Sequence, residues 1–140
     1  MRSITDILKQ SKTIAVVGLS PKEERASFGV AQYLQSQGYR ILPVNPSYAG
    51  TDILGEKVHA CLQDAADALA AHGQRIDIVD CFRKAEDIPP VAREAIAVRA
   101  GCLWMQLGIA NQAAADMAAA AGLDVVQDSC LKVDHKMMVA

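Results

Sequence analysis

The chain has 140 residues, of which 51% are apolar and 21% charged, with a net charge of -2. These are ordinary values for one globular domain, residues 1–140, large enough to bury a real core. The charge balance gives no electrostatic reason to bind nucleic acid or an acidic membrane. No apolar run reaches transmembrane length, and the start of the chain, with Arg2, Asp6 and Lys9, lacks the apolar core of a signal peptide. The expectation is a cytoplasmic protein.

Residues 3–10 read as a short helix with Ser3 as its cap and Ile4, Ile7 and Leu8 on one face. Thr13–Val17 is a β-branched apolar run of strand length that ends at Gly18, where a backbone can turn or approach a ligand closely. A polar loop with Ser20, Lys22 and Arg25 follows. Ser27 stands at the expected N-cap of a helix over residues 28–37, closed by Gly38. Strand, glycine turn and helix start form an anion site, because the first N–H groups and the dipole of the helix point at the ligand. Ser20, Lys22, Arg25 and Ser27 are the residues there that could meet a phosphate.

Residues 40–45 are the second strand, with Pro43 expected to mark a frayed end because proline cannot donate to the ladder. Residues 47–55 read as a loop and 56–60 as a short extended piece. A helix over 62–71 precedes the third strand, residues 76–82. Pro89 and Pro90 open the next helix, which runs to Ala100, and residues 102–106 form the fourth strand. Asn111 caps an alanine-rich helix over 112–121, and residues 124–127 form the fifth strand. Residues 128–140 form a tail. Strands alternating with helices over short links predict a Rossmann-like, doubly wound parallel five-stranded sheet with helices on both faces. The expected strand order is 3-2-1-4-5.

Ligands of such sheets lie at the carboxyl ends of the strands. The candidate residues are therefore those at Gly18-Leu19-Ser20, Asn45-Pro46, Phe82-Arg83, Leu107-Gly108 and Asp128-Ser129-Cys130. The first loop does not match G-x-G-x-x-G, since the next glycine after Gly18 is Gly29. The second strand ends in Asn45, not in the acid that holds the ribose of a nicotinamide dinucleotide, which disfavours NAD. Phe82 offers a flat face for a base and Arg83 a fork for a phosphate. Trp104 is expected between sheet and helix, and Gln106 and Gly108 along the cleft.

No catalytic constellation is present. His59, His72 and His135 have no nucleophile or acid at a diagnostic spacing, and His72 reads as a cation at a helix C-terminus. The cysteines at 61, 81, 102 and 130 make no CxxC pair, so no metal is expected. Cys81 and Cys102 read as buried apolar residues, with Cys130 the one candidate for a reactive thiol.

Taken together, Ile14-Ala-Val-Val-Gly-Leu-Ser-Pro-Lys22, Arg25-x-Ser27-x-Gly29-Val30, Pro43-Val44-Asn45-Pro46, Ile78-Val-Asp-Cys-Phe-Arg83, Leu103-Trp-Met-Gln-Leu-Gly108 and Cys130-Leu-Lys-Val-Asp-His135 resemble the small stand-alone CoA-binding proteins. More distantly they are similar to the N-terminal domain of the succinyl-CoA synthetase α subunit. The likeness spans Ile4 to His135. It implies a domain that binds coenzyme A, or an acyl-CoA, chiefly through its ADP part. On matching positions, Gly18, Leu19, Ser20, Ser27 and Gly29 would line the diphosphate. Val44, Asn45, Pro46, Phe82 and Arg83 would surround adenine and ribose, with Arg25 or Arg83 near a phosphate. Leu107 and Gly108 would face the pantetheine. The synthetase also uses a further α-subunit domain with a phosphorylated histidine and a β subunit, so its ligase chemistry does not carry over to this chain, and a protein partner remains unidentified. The alternative functions are a nucleotide-dependent oxidoreductase, or a CoA-thiol transferase or redox sensor that uses a cysteine.

Overall fold

Thr13–Val17 (β1) is buried along its whole length, as a central strand of a sheet covered on both faces must be. The computed structural model describes residues 1–140. Ahead of β1 lies the helix Ile4–Gln10 (α1), capped by the Ser3 hydroxyl, which accepts from the Asp6 N–H. After it come α2 (Ala26–Ser36), β2 (Arg40–Val44), a 3-10 turn (Pro46–Tyr48), the short antiparallel pair β3 (Asp52–Ile53) and β4 (Glu56–Lys57), and α3 (Leu62–Ala70). The second half contains β5 (Ile78–Cys81), α4 (Ile88–Ala97), β6 (Cys102–Met105), α5 (Gln112–Ala120), β7 (Asp124–Val126) and α6 (Leu131–Met138). This is the Rossmann-like α/β fold that the alternation of elements predicts. No helix is long and apolar enough to cross a membrane.

The five long strands are all parallel, in the order β2-β1-β5-β6-β7. In terms of the five predicted strands this is 2-1-3-4-5, which corrects the expected 3-2-1-4-5. The reason lies at the outer edge of β2. Pro43 pairs within the strand opposite Val16, so it is not a frayed end, but it has no N–H to offer outward. The backbone at His59 takes that edge instead. Its N–H donates to the Pro43 carbonyl at 2.9 Å and its carbonyl accepts from the Asn45 N–H at 2.9 Å. The third long strand therefore pairs with β1 on the other side.

This order fixes where the helices lie. The β1-to-β2 crossover runs one way along the sheet and the later crossovers run the other, so right-handed connections place α2 on one face and α3, α4 and α5 on the opposite face. One apolar cluster joins α3, α4 and α5 to Ala15, Val17, Leu42, Val79, Cys81, Leu103 and Met105. The other joins α1, α2 and α6 to Ile14, Val16, Ile41, Ile78, Cys102 and Trp104.

Helix α6 lies in the segment read from the sequence only as a tail. Apolar spacing is weak there, and the helix is instead fixed by contacts from distant residues. The Trp104 indole N–H donates to the Ser129 carbonyl at 2.8 Å, and the Leu131 N–H donates to Gln106 Oε1 at 3.1 Å. His135, also buried, bonds through Nδ1 to the Tyr33 hydroxyl at 2.8 Å and packs edge-on to the rings of Tyr33 and Tyr39.

Candidate functional site

The turn of sheet direction falls between β1 and β5, so the crevice opens between the loops that leave these two strands. Gly18 is the residue on which the two loops meet. Its N–H continues the ladder to the Val44 carbonyl at 2.8 Å, and its φ is +89°. A Cβ at this position would lie 2.3 Å from the Phe82 carbonyl oxygen and 3.5 Å from Arg83 Nε. Glycine is needed here both for the backbone angle and for the close approach of β5.

Beyond Gly18 the loop is held by two serines. The Ser20 N–H donates to Ser27 Oγ at 3.1 Å, and the Lys22 N–H donates to Ser20 Oγ at 3.1 Å. Ser27 is thus not the helix cap the sequence suggests. Arg25 occupies the cap position, with no side-chain hydrogen bond to the helix, and Ser27 is buried one residue inside the first turn. The N-terminus of α2 therefore has no side-chain partner for its first N–H groups, the donors that bind anions at helix starts.

Gly18, Ser20, Lys22, Arg25, Ala26, Ser27, Tyr48 and Phe82 line a single open cleft of about 340 Å³. No carboxylate lines it, and Glu23 and Glu24 stay exposed on the outside of the loop. Lys22 and Arg25 carry the positive charge, and Arg83 lies against the Gly18 end. None of these three cations is in an ion pair, the pairs of the chain being Arg2–Asp124, Arg40–Glu56 and Arg75–Asp77. Tyr48 and Phe82, both half-buried, are the two aromatic rings of the cleft.

The structure thus brings together Gly18, Ser20, Arg25, Ser27 and Phe82 from the sequence-predicted set, with Arg83 beside them. Leu19 and Val44 are buried core residues and do not line the cleft. Asn45 is buried as well. Its Nδ2 donates to the Leu19 carbonyl at 3.0 Å and its Oδ1 accepts from the Ser47 N–H at 3.0 Å, so the side chain ties two cleft loops together. Pro46 starts the exposed 3-10 turn that delivers Tyr48. Gly29 sits a turn into α2, with nothing within 4 Å of a Cβ built there, and does not line the cleft. Leu107 and Gly108 are exposed at the end of β6, one strand beyond the crevice, and do not line it either. Gln106, expected along the cleft, is buried and caps α6. Cys130 precedes α6, half-buried, and is not a lining residue.

The sequence reading missed Tyr48 and Asp80. Tyr48 sits in a loop with no periodic signal. Asp80 is an acid inside an apolar strand, and that isolation is itself the signal. It is fully buried, and neither carboxylate oxygen has a hydrogen-bond partner. Burial holds its carboxyl well above the usual carboxylate range. Burial likewise raises the thiols of Cys81 and Cys102, so both are inert at neutral pH.

The profile of the CoA binding domain family matches residues 12–136, which run from β1 into α6 and include every residue that lines the cleft. The chain belongs to this family of CoA binding domains. It is 39% identical over 132 residues to the uncharacterized protein YneT of Bacillus subtilis (strain 168), covering 94% of this chain and 91% of that one. Among solved structures, the Thermus thermophilus protein known as cell-free ID.343 superposes with a TM-score of 0.88 at 36% identity, over 98% of this chain and 99% of that one. A hypothetical protein from Pyrococcus horikoshii OT3 gives the same TM-score of 0.88 at 34% identity, over 98% and 90%. In this CoA binding domain, the uncapped, cation-flanked helix start lies within the matched residues.

Proposed function

We propose that this chain binds coenzyme A, or an acyl-CoA, through its ADP part in the cleft between the β1 and β5 loops. The observation that carries this reading is the one cleft that combines an uncapped helix N-terminus, three unpaired cations, two aromatic rings and no carboxylate. The diphosphate lies against Gly18 and the first turn of α2, where Ser27 and the free N–H groups meet it. Phe82 and Tyr48 flank the adenine. Lys22, Arg25 and Arg83 are within the region of the phosphates, including the 3′-phosphate that distinguishes CoA from NAD. A cleft of about 340 Å³ is at the small end for ligand pockets, which range over roughly 300–1,000 Å³. It suits the ADP part, with the pantetheine running out over the strand ends towards Leu107 and Gly108. The protein acts in the cytoplasm as a carrier or presenter of CoA to another protein.

Isothermal titration with CoA, dephospho-CoA and NAD in parallel tests the proposal. CoA should bind at least tenfold more tightly than dephospho-CoA if a cation meets the 3′-phosphate, since a charge-assisted hydrogen bond contributes about 1.5–3 kcal/mol. Preferential binding of NAD would overturn it.

A further inference from the structure

Asp80 lies directly beneath the cleft. It pairs in register with Val16 on one side and Trp104 on the other. The next residues on the same face of these strands are Gly18 and Phe82, both lining the cleft. Two residues of strand place them about 7 Å above Asp80. The carboxyl is closed off from water, has no hydrogen-bond partner, and no cation neutralises it. An ionised carboxylate in such a place is far too costly, so the group is held as the neutral acid.

The elements around it explain this. From β1 comes Val16, from β6 Cys102 and Trp104, and α1 adds Ile7 and Leu8 to the same cluster. Helix α2 adds Val30, Ala31 and Leu34, and α6 adds Leu131. The titratable groups turned into this cluster are Cys102, whose thiol is itself raised, Tyr33 of α2 and His135 of α6, which bond to each other, and Tyr39, whose hydroxyl donates to the Leu8 carbonyl, while α1 also carries the exposed Asp6 and Lys9, and α6 the half-buried Lys132 and Asp134 and the exposed Lys136. Cys81 follows on the other face of the sheet and is raised too. The unpaired cations, Lys22, Arg25 and Arg83, stand above at the cleft.

We propose that Asp80 is a positioning residue of the cleft that must keep its proton for an anionic ligand to bind, so that occupancy of the phosphate site and protonation of Asp80 favour each other. This rests on the CoA reading of the cleft. A charge on Asp80 would stand roughly 10 Å from the diphosphate, and at an effective dielectric of about 20 each of its two negative charges changes affinity by about tenfold, or about a hundredfold together. By linkage the bound ligand raises the pKa of Asp80 by the same factor. The acid lowers the stability of the sheet and sets an alkaline limit on binding.

The test follows the Asp80 carboxyl carbon by NMR against pH, assigned with Asp80→Asn, in free and CoA-saturated protein. Titration calorimetry of wild type and Asp80→Asn with CoA runs over the same pH range. In the free protein Asp80 should titrate well above the usual carboxylate range, and bound CoA should move that midpoint up by about two pH units. Wild-type affinity should fall about a hundredfold across the titration, while Asp80→Asn lacks that fall. Titration of Asp80 in the ordinary range, no titration up to about pH 10, or a midpoint that CoA leaves in place would each overturn the coupling while the CoA reading stands. Absence of CoA binding by wild type at every pH would overturn both, and the free-protein titration would still show the state of the acid.

Discussion

Replacing Gly18 with alanine is a severe test of how the crevice is built. The backbone there has φ +89°, and for a residue with a Cβ a left-handed conformation costs about 1–2 kcal/mol. The added methyl would also lie 2.3 Å from the Phe82 carbonyl oxygen, a contact that no rotamer can relieve. Relief requires the β1 and β5 loops to separate, although the Phe82 N–H is bonded to the Val17 carbonyl at 2.8 Å. Overpacking of this kind typically costs about 1–3 kcal/mol. The sum is about 2–5 kcal/mol, a large share of the ~5–15 kcal/mol that holds a domain together. Thermal unfolding followed by circular dichroism should show Tm lower by roughly 8–20 °C. Gly29→Ala is the control, since it sits in a helix with open space around its Cβ and should raise stability by about 0.5–1 kcal/mol. CoA affinity of Gly29→Ala should be unchanged, because Gly29 does not line the cleft. A Gly18→Ala protein within about 1 kcal/mol of wild type would refute the close approach of the two strands.

Arg83→Ala should weaken CoA binding by about 1.5–3 kcal/mol in calorimetry if the guanidinium meets a phosphate, and unchanged affinity would remove it from the site. Asn45→Ala removes one buried and one part-buried hydrogen bond and leaves the Leu19 carbonyl without its partner. It should cost about 1–3 kcal/mol in urea unfolding and weaken CoA binding through a looser β1 loop, and a loss of stability with full affinity would confine its role to folding. Burial lowers the pKa of His135, so the unfolded chain takes up its proton first. The stability due to neutral His135 is present above about pH 6.5 and declines as pH falls towards its folded value, and a His135→Gln protein should lose that part of the acid slope in unfolding measured from pH 7 to 5.

Much of the fold could be read locally. The apolar run at β1, the caps Ser3 and Asn111 and the alternation of strands with helices each depend on residues close in sequence, and each forms as expected. The strand order depends on competition for the edge of β2, which Pro43 and the His59 backbone decide across 16 residues of chain. Nothing in the periodicity of either segment records that contact. The same holds for α6, whose start is fixed by the side chains of Trp104 and Gln106, 25 residues away.

The candidate site divides along the same line. Gly18, Ser20, Arg25 and Ser27 lie within ten residues of one another and could be read as a unit, whereas Tyr48 and Phe82 join them only because the sheet turns between β1 and β5. The expected order would have put the turn at β6 and drawn Leu107 and Gly108 into the cleft. With the turn at β1 and β5, the residues beneath the cleft are those of β5, and Asp80 becomes its nearest buried charge-bearing group. Asn45 shows the same shift of role. Its side chain sits where a dinucleotide site would place a ribose-binding acid, yet both of its polar atoms are engaged with the protein backbone. The amide there offers a ribose diol one oxygen, already accepting from the Ser47 N–H, where a carboxylate would offer two. Selectivity in this cleft must then come from its cations and the helix start, which recognise phosphate and not sugar.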